Sequence, residues 1–233
     1  MKMNLFKRTK KNNDREPAQE PVMNPELYTE EELDVIEACV QDIFGPFDEV
    51  FHEIYSPDIH CDVAVVPPTE ERPYYYLVTM GMGAHRMNAP EELKKFGVER
   101  AELAIAVPAD WNIKSQEEKD YWPLRWLKVL ARYPGDYDTW LGFGHTVSAG
   151  GPFDESTGMS GFVLCGAKGS YGDADRVVAW LPNGEPVNFY QIIPIYESEM
   201  NYKLEQGDAD LLFARMEEKG FPLVVEPKRQ PRV

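Results

Sequence analysis

Apolar positions along residues 28–44 recur with the helical period. Leu33, Ile36, Val40, Ile43 and Phe44 fall on one face, and acidic side chains occupy the other. Thr29 and Glu32 form a T-x-x-E capping box, Tyr28 and Leu33 form a hydrophobic staple, and Gly45-Pro46 stops the helix. The period then changes to that of strands. A short candidate covers Glu49–Ile54. His60–Val66 follows, with Cys61, Val63 and Val65 on one face and His60, Asp62, Ala64 and Val66 on the other. Both faces are largely apolar, so this strand is expected to be central and covered on both sides. Prolines in 67–73 keep that link out of the ladder. Tyr74–Met80 returns as its hairpin partner and runs into Gly81-Met82-Gly83-Ala84-His85-Arg86.

Downstream, Asn88 and Glu91 read as a second capping box opening a short helix over Ala89–Phe96, ended by Gly97. Ala101–Val107 is an apolar strand. A long helix begins near Asp120, tolerates Pro123 in its first turn and closes at Pro134. Residues 138–147 form a strand or extended segment interrupted by glycines. Strands are expected at Gly158–Cys165, Val177–Leu181 and Val187–Pro194, with a turn at Pro182-Asn183-Gly184. Helices follow over Tyr196–Glu205 and from an Asp208 cap to Lys219, and Phe221–Val225 reads as a last short strand. Helices and strands mix without βα alternation or repeats. The expected fold is α+β: a single domain over 25–233, with a mostly antiparallel or mixed β-sheet packed by helices. Residues 1–24 are polar, lack a hydrophobic period and read as a disordered basic arm.

Composition narrows the function. The chain has 233 residues, 43% of them apolar, which is ample for a real core. No run reaches the roughly 18–20 apolar residues of a membrane helix, so no membrane partner is expected. The basic start lacks the apolar core of a signal peptide, so a cytoplasmic location is expected. Net charge is −16, with +3 in residues 1–24 and −19 beyond. Such a body repels phosphate backbones and excludes nucleic acid as a partner, while a basic protein suits it. The three cysteines, Cys39, Cys61 and Cys165, are scattered and suit small buried residues in a reducing compartment.

The catalytic motifs are weak. Gly81-x-Gly83 lacks the third glycine and the βαβ context of a dinucleotide loop. No P-loop and no GxSxG elbow occurs. His60, Asp62, His85 and His145 supply the donor types of a transition-metal site or an enzyme, provided that distant loops converge. The alternative is that the histidines are structural and that Asp62 anchors a neighbouring loop. Neither a metal nor another cofactor is expected. Aromatic residues beside glycines are more suggestive. Tyr75 lies in a run of three tyrosines, and Trp140, Phe143 and His145 share a glycine-rich stretch. Aromatics are enriched at interface hot spots, and glycines let another backbone approach.

The blocks HCDVAVVPPTEERPYYYLVTMGMGAHRMN, ERAELAIAVPADW, YWPLRWLKVLARYP, TWLGFGHTV and VNFYQIIPIYESEM, in this order, resemble the suppressor of fused domain family over roughly residues 28–226. The resemblance implies a binding module without catalysis. Eukaryotic members are negative regulators of Hedgehog signalling that capture a transcription-factor segment as an added β-strand, between this kind of domain and a second one. Bacterial single-domain members resemble immunity proteins of polymorphic toxin systems. The peptide-contacting segment corresponds to Phe143–Val147. Where eukaryotic members carry an acidic residue before the histidine, this chain has Gly144. The partner implied is another protein, such as a basic toxin domain. A regulatory scaffold without a toxin is the further alternative, and the sequence leaves the oligomeric state open. The partner-binding residues expected are Tyr75, His85, Arg86, Trp140, Phe143 and His145, with the 81–88 loop as a rim for a strand edge near 140–147.

Overall fold

A computed structural model describes residues 24–170 and 176–233; the arm expected over 1–24 lies outside the described residues apart from Asn24. Eight strands form a mixed sheet: β1 (Glu49–Phe51), β2 (Asp62–Val66), β3 (Tyr74–Met80), β4 (Ala101–Pro108), β5 (Thr146–Ser148), β6 (Gly161–Gly166), β7 (Val178–Trp180) and β8 (Pro186–Ile195). Their order is β1-β2-β3-β4-β8-β6-β5, and β7 pairs with β8 off this path. All ladders are antiparallel except β4–β8, which is parallel and joins Ala101–Ala104 to Asn188–Gln191. This is the α+β architecture read from the sequence.

Helices cover both faces. On one face α3 (Glu118–Asp136) buries Trp122, Leu127 and Leu130 against Val63, Val65, Leu103, Ile105, Phe162 and Ile192. On the other, α1 (Glu30–Phe44) lays Ile36, Val40, Ile43 and Phe44 over Ala64, Val66, Val78 and Ala104. Further along that sheet, α5 (Ala209–Glu218) buries Leu212, Phe213 and Met216 over Val163, Cys165 and Ile193. α4 (Glu197–Gln206) packs beside β6. The alternation of β2 thus serves two cores at once, which explains why both its faces are apolar. At α1, the Thr29 hydroxyl accepts from the Glu32 amide and the Glu32 carboxylate accepts from the Thr29 amide, the reciprocal capping box.

Some local expectations need correction. The helix α2 spans only Glu91–Lys94, with Pro90 at its N-cap. Asn88 does not cap it; its side-chain amide donates to Asp138 instead. Pro134 does not close α3, which runs on to Asp136. Of the extended stretch 138–147, only Thr146 and Val147 are strand. Phe221–Val225 contributes one parallel bridge, Ala106 to Val224, with the Val225 amide donating to the Ala106 carbonyl. There β4 and β8 have ended their common ladder, and the C-terminal segment follows β4 beyond it. Arg229 then anchors the segment to Glu199 and to the Pro194 carbonyl, all inside the protein.

Candidate functional site

The glycine-rich loop after β3 wraps a buried carboxylate. Glu102 on β4 is fully buried. It accepts from the backbone amides of Gly81, Met82 and Gly83, from the Thr79 hydroxyl and from the Tyr28 hydroxyl, at 2.6–3.3 Å. Gly81 sits at φ = 142°, and a Cβ there would lie 1.9 Å from the His60 carbonyl oxygen, so only glycine fits. Successive amides turned inward make an anion nest, and this protein fills the nest with its own side chain. Burial pushes the Glu102 carboxyl above the ordinary carboxylate range, while the Thr79 hydroxyl, the Gly81 and Gly83 amides and the Tyr28 hydroxyl pull the other way. Sequence reading missed Glu102 because it stands in an apolar strand, although one carboxylate in AELAIAV is itself the available signal.

Asp62 opens β2. Its carboxylate accepts from the Glu53 amide at 2.8 Å and meets His52 at 2.8 Å and His60 at 3.1 Å. Beside it, Glu53 pairs with Arg132 and Lys128 of α3. Burial raises the Glu53 carboxyl, but the Arg132 and Lys128 charges and the Cys61 amide outweigh it and hold it below its usual range. His85 belongs elsewhere: it pairs with Glu26 at 2.8 Å. His145 lies in a third place against Trp140, with ring centroids 4.3 Å apart. The convergence needed for a metal or acid–base site built from His60, Asp62, His85 and His145 therefore does not form. Among the described residues no three His, Cys, Asp or Glu come together as a metal site.

The residues expected to hold a partner divide. Tyr75 lines a surface cleft with Asp48, Trp111 and Ile113, beyond the far end of β3 from the glycine loop. That strand is about 20 Å long. The loop itself does meet the 138–141 stretch. The Asn88 amide donates to the Thr139 carbonyl, and Met87 packs its sulfur on the Leu141 amide. Arg86 is held by Glu99 and Glu185, and Arg100 secures the loop from below through the carbonyls of Gly83 and Ala84.

Trp140 stands between two recesses. One is a groove of about 430 Å³ between Phe96, Val98, Phe143, Tyr190 and Arg176. Phe143 is 39% exposed and leans on Phe213 of α5. Burial pushes the Tyr190 phenol up to about 12, so it stays neutral. The other is a smaller cleft of about 250 Å³ bounded by Tyr133, Trp140, His145, Thr146 and Lys203. Burial and the Lys203 ammonium push the His145 imidazole below its ordinary value of 6.5. Gly144 at φ = 76° turns the chain from Phe143 into β5, and a Cβ there would press on Ala209 of α5 at 2.9 Å. β5 is the last strand of the sheet. Its ladder bonds to β6 fall on His145 and Ala149, so the amide and carbonyl of Thr146 and Ser148 turn outward.

A mixed sheet covered by helices on both faces, ending in a short strand beside aromatic recesses, defines an α+β domain. The model of the suppressor of fused protein family matches residues 57–230, and the chain belongs to that family. It is similar to the uncharacterized protein UU111 of Ureaplasma parvum serovar 3, at 26% identity over 183 residues, covering 77% of this chain and 86% of that one. Among solved structures, a suppressor of fused homologue from Neisseria gonorrhoeae shares the fold with a TM-score of 0.61 at 19% identity, covering 87% of this chain and 97% of that one. A chain of the Sufu–Fu complex gives 0.58 at 16% identity, with 89% and 92% covered. Drosophila Suppressor of Fused gives 0.55 at 14% identity; the match covers 91% of this chain but 54% of the longer fly protein.

Proposed function

We propose that this chain is a protein-binding module without catalysis, and that it acts as an immunity protein that neutralises a cognate toxin domain by holding it at the β5 edge. The observation that carries the reading is the open strand: Thr146 and Ser148 present backbone donors and acceptors outward, next to Trp140, Phe143 and His145. Such an edge gives affinity through main-chain hydrogen bonds, and the adjoining recesses give specificity through side chains. Family membership supports a binding role, and one of the similar structures is itself a complex, Sufu with Fu. The net charge of −16 favours a basic partner by speeding encounter and rejecting acidic competitors. The 81–88 loop, fixed by Glu102 and Arg100, supports the 139–141 stretch that leads toward the edge.

The test is co-purification with the product of the neighbouring toxin-like gene, followed by Trp140→Ala and His145→Ala. A complex weakened at least tenfold by either change, with thermal stability preserved, supports the site. Unchanged affinity in both variants moves the partner elsewhere on the surface. Absence of any complex with adjacent gene products removes the immunity role and leaves the regulatory scaffold as the reading to pursue.

A further inference from the structure

Lys203 of α4 is half-buried in the small cleft beside β5, yet no carboxylate lies within ion-pair distance of it among the described residues. Most other half-buried cations here are paired with carboxylates, among them Arg100 with Glu185, Lys128 with Glu53, and Arg132 with Glu53 and Asp58. Arg72 instead donates to the Pro67 and Tyr74 carbonyls, and Arg232, like Lys203, has no carboxylate within ion-pair distance among the described residues. The carboxylate one helical turn before Lys203, Glu199, is turned inward to Arg229. In a chain with 40 acidic and 24 basic residues, a cleft lysine with no carboxylate partner among the described residues is available to an incoming acid. The cleft around it offers hydroxyls from Tyr133, Thr139 and Thr146 and an imidazole from His145. That donor set recognises a carboxylate. A volume of about 250 Å³ holds one side chain. The outward amides of Thr146 and Ser148 stand next to it, so a backbone paired there can place that side chain in the cleft.

We infer that the segment captured along β5 carries an aspartate or glutamate whose carboxylate is seated on Lys203 in the Tyr133–His145–Thr146 cleft. This rests on the edge-binding reading above and adds a rule of selectivity to it. The partner is then basic overall but acidic at one position of the added strand, so that general charge steers the encounter and the single acid fixes the register.

The experiment pans a displayed library of random seven-residue peptides on the full chain, on Lys203→Glu, on Lys203→Met and on Thr146→Pro. Proline at Thr146 removes the outward amide and is compatible with an edge strand. Expected are peptides with Asp or Glu at one fixed position on the unmodified protein. The preference is lost on Lys203→Met, with affinity for the selected acidic peptide down about tenfold. It is exchanged for Lys or Arg on Lys203→Glu, and binding is abolished on Thr146→Pro. An acid preference that is absent, or unchanged in Lys203→Glu, overturns the role of Lys203 while the loss on Thr146→Pro still upholds the edge. Peptides that bind Thr146→Pro as well as the unmodified chain, or no enrichment at all, overturn the edge reading and this inference with it. Thermal melts of each variant establish that it is folded.

Discussion

Glu102 makes the glycine loop what it is. Three backbone amides and two hydroxyls converge on one buried carboxylate, and the amides and the Thr79 hydroxyl are buried with it. Glu102→Ala is expected to cost about 3–5 kcal/mol in a denaturant titration, the range for orphaning a buried charged partner. It should also release the 81–86 amides to fast hydrogen exchange. His145 provides a second residue-level prediction. Its folded-state value lies below 6.5, so the unfolded chain binds its proton first. The imidazole therefore contributes stability above pH 6.5, and this is lost as pH falls through the depressed value. A plot of stability against pH should bend downward on acidification, and His145→Gln should remove that part of the bend. A curve identical in the two proteins would place the acid sensitivity on other groups.

Elements that depend on near neighbours were readable in the chain. The Thr29–Glu32 box, the period of α1 and the turn at Pro182–Gly184 need only residues a few positions apart, and α1 forms where they place it. The Asn88–Glu91 box failed because Asn88 has a distant competitor, Asp138, across the loop contact. Glu102, Lys203 and Arg229 were overlooked for the same reason: the partner, or the lack of one, is decided by residues far away in sequence, 19 to 74 positions off for Glu102 and 30 to 35 for Arg229. The single residues Trp140, Phe143 and His145 stood out through their chemistry, whereas Tyr75 shares that chemistry but lies at the opposite end of its strand. β5 carries a prediction of its own. Gly144→Ala places a side chain at φ = 76° and within 2.9 Å of Ala209. It is expected to cost about 1–3 kcal/mol and to weaken partner binding, because β5 is displaced from β6. Unaltered affinity would mean that the edge need not be held in register.

At the scale of the whole molecule, the charge acts as a field. If a basic partner is steered by the acidic body, the association rate measured by stopped flow should fall about tenfold or more between low and physiological salt, with the dissociation rate nearly constant. A rate independent of salt would take charge out of partner selection. The sheet itself consists of two halves, β1–β4 and β5–β8, whose ladders meet, among the described residues, only where Ala101–Ala104 lie along Asn188–Gln191. The pair Arg229–Glu199, at 2.6 Å and almost without solvent contact, closes the far end of that junction. Arg229→Met alone leaves Glu199 buried without its cation and should cost about 3–5 kcal/mol, whereas Arg229→Met with Glu199→Leu should recover most of the loss.

That closing segment has a consequence for the order in which the protein can mature. Val224 and Arg229 leave the ribosome after every strand they touch, so both half-sheets are made before the residues that seal them together. At the pace of synthesis, about 5–20 residues per second, the nascent chain spends time with the flank of β4 bare beyond Ala104. During that interval the unsealed flank is open to other strands and to chaperones, and it closes only when the segment from Val224 to Arg229 has seated.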